Sequence, residues 1–156
     1  MATTLKPGDA APDFSAKTTD GTPVSLQDYR GKKLVMYFYP MDDTPGCTKQ
    51  ACSLRDHNQE LAAKGAAVLG VSTQDEASHE KFTRKYKLNF PLLADTDGAV
   101  GRAYGTIGGA GLMAKLKSAA GMADRVTFVI DEKGRIAHVI DKPNVANHAE
   151  EVLALL

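Results

Sequence analysis

Two short apolar runs, Leu-Val-Met-Tyr-Phe-Tyr at 34–39 and Ala-Ala-Val-Leu-Gly-Val at 66–71, constrain this chain more than any other feature. Apolar at every position and only six residues long, each suits a strand buried on both faces. Spanning a bilayer takes about 20 such residues, so these runs are expected in a core. Between them, 44–64 reads as a helix by its length and by Ala51, Leu54, Leu61 and Ala62. The unit is strand, helix, strand.

The flanking pattern extends it. Phe14, Ala16 and Thr18 alternate with polar neighbours, Asp20-Gly21 supplies a turn, and Val24 and Leu26 resume the apolar face, which predicts an N-terminal β-hairpin. A helix over 76–86, a short strand at 91–95 and a short helix at 99–104 follow. Segment 105–121 is glycine-rich and reads as a long loop, a candidate lid or wall for a site. Strands at 126–130 and 135–140 form a second hairpin, and a last helix begins at about Asn147. This order predicts an α/β sandwich with a mixed central sheet flanked by helices, a thioredoxin-like fold, in one domain over 1–156.

Composition narrows the function classes. Nineteen Lys plus Arg balance nineteen Asp plus Glu, so no net positive field draws in nucleic acid or an acidic membrane, and neither is expected as a partner. Lys6, Pro7, Gly8 and Asp9 interrupt the stretch a secretory signal would need, which points to the cytoplasm. In that reducing compartment a permanent disulfide between the two cysteines would be unusual.

Those cysteines sit where a strand runs through a turn into a helix. Thr44 followed by Pro45 is a helix-start signature: a hydroxyl can cap free amides, and proline tolerates the first helical position. Cys47 then falls in the first turn, where unpaired amides and the helix dipole favour a thiolate. A helix terminus contributes only about 0.3–1 kcal/mol, so full activation calls for a nearby cation. In a regular helix the Cα atoms of Cys47 and Cys52 are about 8.7 Å apart, beyond the disulfide range of about 4.4–6.8 Å. A bond between them requires local unwinding, as a reversible catalytic disulfide would. Taken alone, the spacing C-x4-C leaves inert buried thiols, redox chemistry and metal binding open. Zinc lacks ligands, since the only nearby histidine, His57, lies on the same helix, and the C-x-x-C of dithiol reductases is absent. His79, His138 and His148 are scattered, so a Cys–His pair is a minor alternative.

Pro40-Met-Asp-Asp-Thr44-Pro-Gly-Cys47 fits the P-x-x-x-T-x-x-C pattern of peroxiredoxins, and the continuation to Cys52 resembles their bacterioferritin comigratory protein (BCP/PrxQ) subfamily. Gly8-Asp9-Ala-Ala-Pro12-Asp-Phe14, Leu69-Gly-Val-Ser72-Thr73, Leu92-Leu-Ala-Asp95 and Arg125-Val-Thr-Phe128-Val-Ile-Asp131 extend the resemblance along nearly the whole chain. It implies that Cys47 is the peroxidatic nucleophile, attacking hydrogen peroxide or an organic hydroperoxide to give a sulfenic acid, and that Cys52 resolves it to an intramolecular disulfide. Thioredoxin or a similar dithiol would reduce that bond. Thr44 would hold the peroxide, Pro40 would shield the sulfenate from water, and Arg125 would be the missing cation. No metal or organic cofactor is implied, and the chain would act as a monomer. Alternatives are a redox sensor or holdase using the cysteines as a switch, and a general thiol-disulfide oxidoreductase. Two departures stand out: Gln50 where the subfamily often has Glu, and the unusual 106–124 segment. There Leu112, Met113, Leu116 and Met122 would either line a wall suited to alkyl hydroperoxides or pack over the core. Lys81, Arg84, Lys85 and Lys87 give the second helix a basic face, read as solvated or as a docking surface.

Overall fold

The computed structural model describes residues 3–108 and 121–156. Leu112, Met113 and Leu116 therefore lie outside the described residues, as does most of the candidate lid. The strands are β1 (Ser15–Thr18), β2 (Pro23–Ser25), β3 (Lys33–Phe38), β4 (Ala66–Ser72), β5 (Leu92–Ala94), β6 (Val126–Ile130) and β7 (Ile136–Ile140). They form one sheet in the order β2-β1-β5-β4-β3-β6-β7. The inner strands β3, β4 and β5 run parallel, while β1 and β2, β1 and β5, β3 and β6, and β6 and β7 pair antiparallel, so the sheet is mixed as expected.

The helices are α1 (Pro45–Asp56), α2 (Asn58–Ala63), α3 (Glu76–Tyr86), α4 (Ala99–Ala103) and α5 (His148–Leu153). The single helix expected over 44–64 is two. His57 interrupts it at φ −112°, ψ 11°, and its Nδ1 takes the Ser53 carbonyl at 3.0 Å, the acceptor its own backbone amide would have used to continue the helix. Leu26, expected on the second strand of the hairpin, instead opens a single 3-10 turn (Leu26–Tyr29) and is buried there.

Strand β3 explains where the chemistry sits. Side chains alternate across a strand, so Leu34, Met36 and Phe38 enter one core with Phe14, Tyr104 and Phe128. Val35, Tyr37 and, just beyond the strand, Tyr39 enter the other, with Cys47, Ala51 and Leu54 of α1 and Phe82 of α3. Helix α1 is thus pinned by its apolar face over the C-terminal end of β3, from which the loop 40–44 feeds it. The neighbouring Gly70 on β4 makes room for this core: a Cβ there would stand 2.9 Å from the Tyr37 ring and 2.7 Å from Leu92. Among the described residues no helix is long and apolar enough to cross a membrane.

Candidate active site

Thr44 is the N-cap residue of α1, in extended conformation at φ −90°, ψ 157°, and Pro45 takes the first helical position. The first intrahelical bond runs from the Thr48 amide to the Thr44 carbonyl at 2.8 Å, so the amides of Gly46 and Cys47 have no acceptor within the helix. Cys47 lies in this first turn, 1% exposed, and Cys52 is half-buried on the same continuous helix. Both are free thiols, as the helical separation requires.

The expected cap differs in one respect. The Thr44 hydroxyl does not accept from a first-turn amide; it donates to the Met41 carbonyl at 3.1 Å, closing the loop on itself. Its oxygen keeps acceptor lone pairs available. Pro40 heads the same loop, and its carbonyl accepts from the Gln74 side chain at 3.3 Å.

Arg125, 78 positions from Cys47 in sequence, precedes β6, which pairs with β3. That pairing delivers the guanidinium to the first turn of α1. Nη2 donates to Cys47 Sγ at 3.2 Å and Nη1 to Gln50 Oε1 at 2.7 Å. Gln50 is fully buried one turn beyond Cys47, so the residue noted only as a departure from Glu is the side chain that aims the arginine. Gly46 leaves the approach open, since a Cβ there would stand 3.2 Å from Arg125 Nη2.

The other ionisable groups near the sulfur supply no positive charge to it. Burial first, and the neighbouring Cys47 second, push the Tyr37 phenol well above its ordinary range, so it stays neutral. His57 faces Ser53 and Glu150, His79 faces Asp42 and the Leu93 carbonyl, and His148 faces Thr127 and Glu151. The cation at the sulfur is therefore Arg125, not an imidazole. Among the described residues no cluster of three or more His, Cys, Asp or Glu side chains is arranged to hold a metal. Met122 is partly buried; Lys81, Arg84, Lys85 and Lys87 lie along α3 and its C-cap, where Lys85 is paired with Asp43 at 2.8 Å.

Comparison with known proteins bears on this geometry. Residues 7–139 match the model of the AhpC/TSA family. Peroxiredoxin Bcp of Escherichia coli (strain K12) is 43% identical over 149 residues, covering 96% of this chain and 94% of its own. Among solved structures, peroxidoxin BcpB of Mycobacterium tuberculosis superimposes with a TM-score of 0.84 at 34% identity, over 97% of this chain and 96% of that one. The bacterioferritin comigratory protein of Xanthomonas campestris, described for its alkyl peroxide reduction activity, gives 0.82 at 32% identity, over 97% and 95%.

Proposed function

This chain belongs to the AhpC/TSA family and is a thiol-dependent peroxidase that reduces hydroperoxides at the expense of a thiol reductant; on that premise we propose that Cys47 is the peroxide-reactive thiol and Cys52 the thiol that resolves it. The observation that carries the assignment is the Arg125 guanidinium 3.2 Å from a cysteine in the first turn of a helix.

The Cys47 thiolate attacks one oxygen of the hydroperoxide, the O–O bond breaks, and the departing oxygen leaves as alcohol or water after taking a proton. Negative charge spreads from sulfur over both oxygens during the attack. Arg125 and the first-turn amides of α1 are fixed donors that meet that charge without reorganising. The Thr44 oxygen accepts the hydroperoxide O–H while its own O–H goes on donating to the Met41 carbonyl. Pro40, at the mouth of the loop, keeps water from the new sulfenic acid.

Resolution needs the helix to open. Cys52 attacks the sulfenic sulfur, the S–S bond forms and water leaves. The far half of α1 is fastened elsewhere: Ser53 Oγ accepts from the Ala149 amide at 3.0 Å, and Arg55 Nη1 donates to the Tyr86 carbonyl at 2.6 Å. Opening is thereby confined to 45–52. Thioredoxin or a similar dithiol then reduces the disulfide, in a chain that acts as a single monomeric domain in the cytoplasm without membrane or nucleic-acid partners.

One equivalent of hydrogen peroxide added to reduced protein is expected to lower its mass by about 2 Da and to yield a tryptic link between Cys47 and Cys52. A stable sulfinic acid with Cys52 still free would refute the resolving role.

A further inference from the structure

The loop that carries Pro40 and Thr44 is clamped from behind by side chains with no part in the motif. Asp42 lies in that loop with its side chain 4% exposed, and its carboxylate accepts three hydrogen bonds. Tyr39 Oη donates to Oδ1 at 2.6 Å; Ser78 Oγ and His79 Nδ1 both meet Oδ2 at 2.7 Å. Ser78 and His79 belong to α3. His79 is fully buried, and its Nε2 donates to the Leu93 carbonyl of β5 at 3.0 Å. The ring therefore bridges the loop to the sheet. Nε2 points its N–H at the carbonyl, and Nδ1 lies within hydrogen-bond distance of the carboxylate.

The same loop is gripped twice more. Gln74 accepts the Asp42 amide at 3.0 Å and donates to the Pro40 carbonyl at 3.3 Å. Asp43, held in the left-handed region at φ 59°, receives Lys85 Nζ at 2.8 Å and Tyr86 Oη at 2.6 Å from α3. A carboxylate in a desolvated place is costly unless fully paired, and an apolar contact would staple a loop at lower cost. What the polar clamp adds is direction. Three bonds on two oxygens fix the rotation of Asp42, and through its backbone the neighbours on either side.

We infer that His79 and Asp42 are positioning residues for the peroxide step: the His79–Asp42 pair holds Pro40 and Thr44 at the heights over Cys47 that the incoming hydroperoxide requires. The clamp ends at Asp43, and the helix that must unwind starts at Pro45. The pair therefore sets the geometry of oxidation and leaves resolution alone, because Cys47 and Cys52 both lie on the far side of it. This rests on Cys47 being the peroxide-reactive thiol, and the wild-type control tests that premise separately: reduced wild type must lose two hydrogens with one equivalent of peroxide.

The experiment measures three rates on the full chain by rapid quench and mass spectrometry of the Cys47 peptide: oxidation by hydrogen peroxide, conversion of sulfenic acid to disulfide, and alkylation by iodoacetamide. Alkylation needs the sulfur but not the peroxide cradle. For His79→Leu, peroxide oxidation is expected to fall about 10- to 100-fold, the loss that misplacement of a reacting group by about 1 Å brings, while alkylation and disulfide formation stay within about twofold. His79→Asn, whose amide can donate to Asp42 from the place of Nδ1, is expected to recover most of the rate. Asp42→Ala, which removes both acceptor oxygens, is expected to lose peroxide reactivity like His79→Leu and decides the matter should the leucine variant fail to fold. A folded variant that oxidises at the wild-type rate, or one that loses peroxide and iodoacetamide reactivity equally, overturns the inference.

Discussion

Adding one methyl group at Gly46 should damage oxidation and resolution by separate routes. Its Cβ would stand 3.2 Å from Arg125 Nη2, and ordinary van der Waals contact begins at 3.4 Å. Nη1 is tied to Gln50 at 2.7 Å, so a shift of the guanidinium by a few tenths of an ångström strains that bond and the 3.2 Å bond from Nη2 to Cys47 Sγ together. A hydrogen bond to a charged group is worth about 1.5–3 kcal/mol net, and about 1.4 kcal/mol is tenfold in rate, so partial to complete loss slows peroxide oxidation of Gly46→Ala about 10- to 100-fold. Alanine also favours the helix by up to about 0.5–1 kcal/mol over glycine, which makes the opening before disulfide formation about 2- to 5-fold slower. Rapid-quench mass spectrometry reads the two steps apart, as reduced, sulfenic and disulfide forms of one peptide. If Gly46→Ala oxidises at the wild-type rate while its disulfide step slows, the methyl has acted on the helix alone and the guanidinium is not the group that speeds attack.

Three further outcomes follow from the same geometry. Cys52→Ser is expected to gain about 16 Da with one equivalent of peroxide, to proceed to higher oxidation states in excess, and to lose turnover with a dithiol reductant; retained turnover would show that resolution does not need Cys52. Gln50→Leu leaves Arg125 Nη1 without its partner and should lower the rate of Cys47 oxidation about tenfold, measured by the same quench, with an unchanged rate refuting the aiming role. Stability should fall on the acid side of neutrality. Burial, opposed by Glu151 and reinforced by the charge of Arg125, depresses the pKa of His148 below its ordinary 6.5. The unfolded chain therefore takes up the proton first as pH drops below about 6.5, and the stability that the neutral ring contributes is lost as pH falls through its folded value. His57 is shifted upward, chiefly by the Ser53 carbonyl, and works in the opposite sense, but its side chain is 28% exposed and solvent-screened. Thermal unfolding of the reduced protein between about pH 7.5 and 5.5 should show the decline, and His148→Gln should flatten it; an equal decline in that variant would exclude His148 as its source.

What could be read from the sequence is what is local to it. Helix α3 over Glu76–Tyr86 and strand β4 over Ala66–Ser72 are written in contiguous periodicity. The Thr44-Pro45 start that puts Cys47 in a first turn is likewise encoded within a few residues. The break at His57 was hidden because a ring nitrogen competing for a carbonyl four residues back leaves no mark on apolar spacing. The site divides the same way. Pro40, Thr44, Cys47 and Cys52 lie within one motif, whereas Arg125 arrives across 78 positions through β6, and only the resemblance singled it out. Gln50 looked like a substitution of no consequence until the arginine it holds was in place. Asp42 and His79 had no signal at all: one is an ordinary polar loop residue, the other one of four scattered histidines, and their chemistry exists only in the pair. This split matches the work each group does. The proposed nucleophile, Cys47, and its proposed resolving partner, Cys52, share a segment short enough to open by a turn or two and close again. The groups that brace the loop, Gln74, Ser78 and His79, must not move when it opens, and so they come from other parts of the fold. Gln50, which aims the arginine, is the exception on the opening segment, and Arg125 itself reaches in from beside β6. Its bonds to Cys47 and Gln50 both end on the segment that unwinds, so forming the disulfide must release the guanidinium, and reduction must re-form the site before a second peroxide can react.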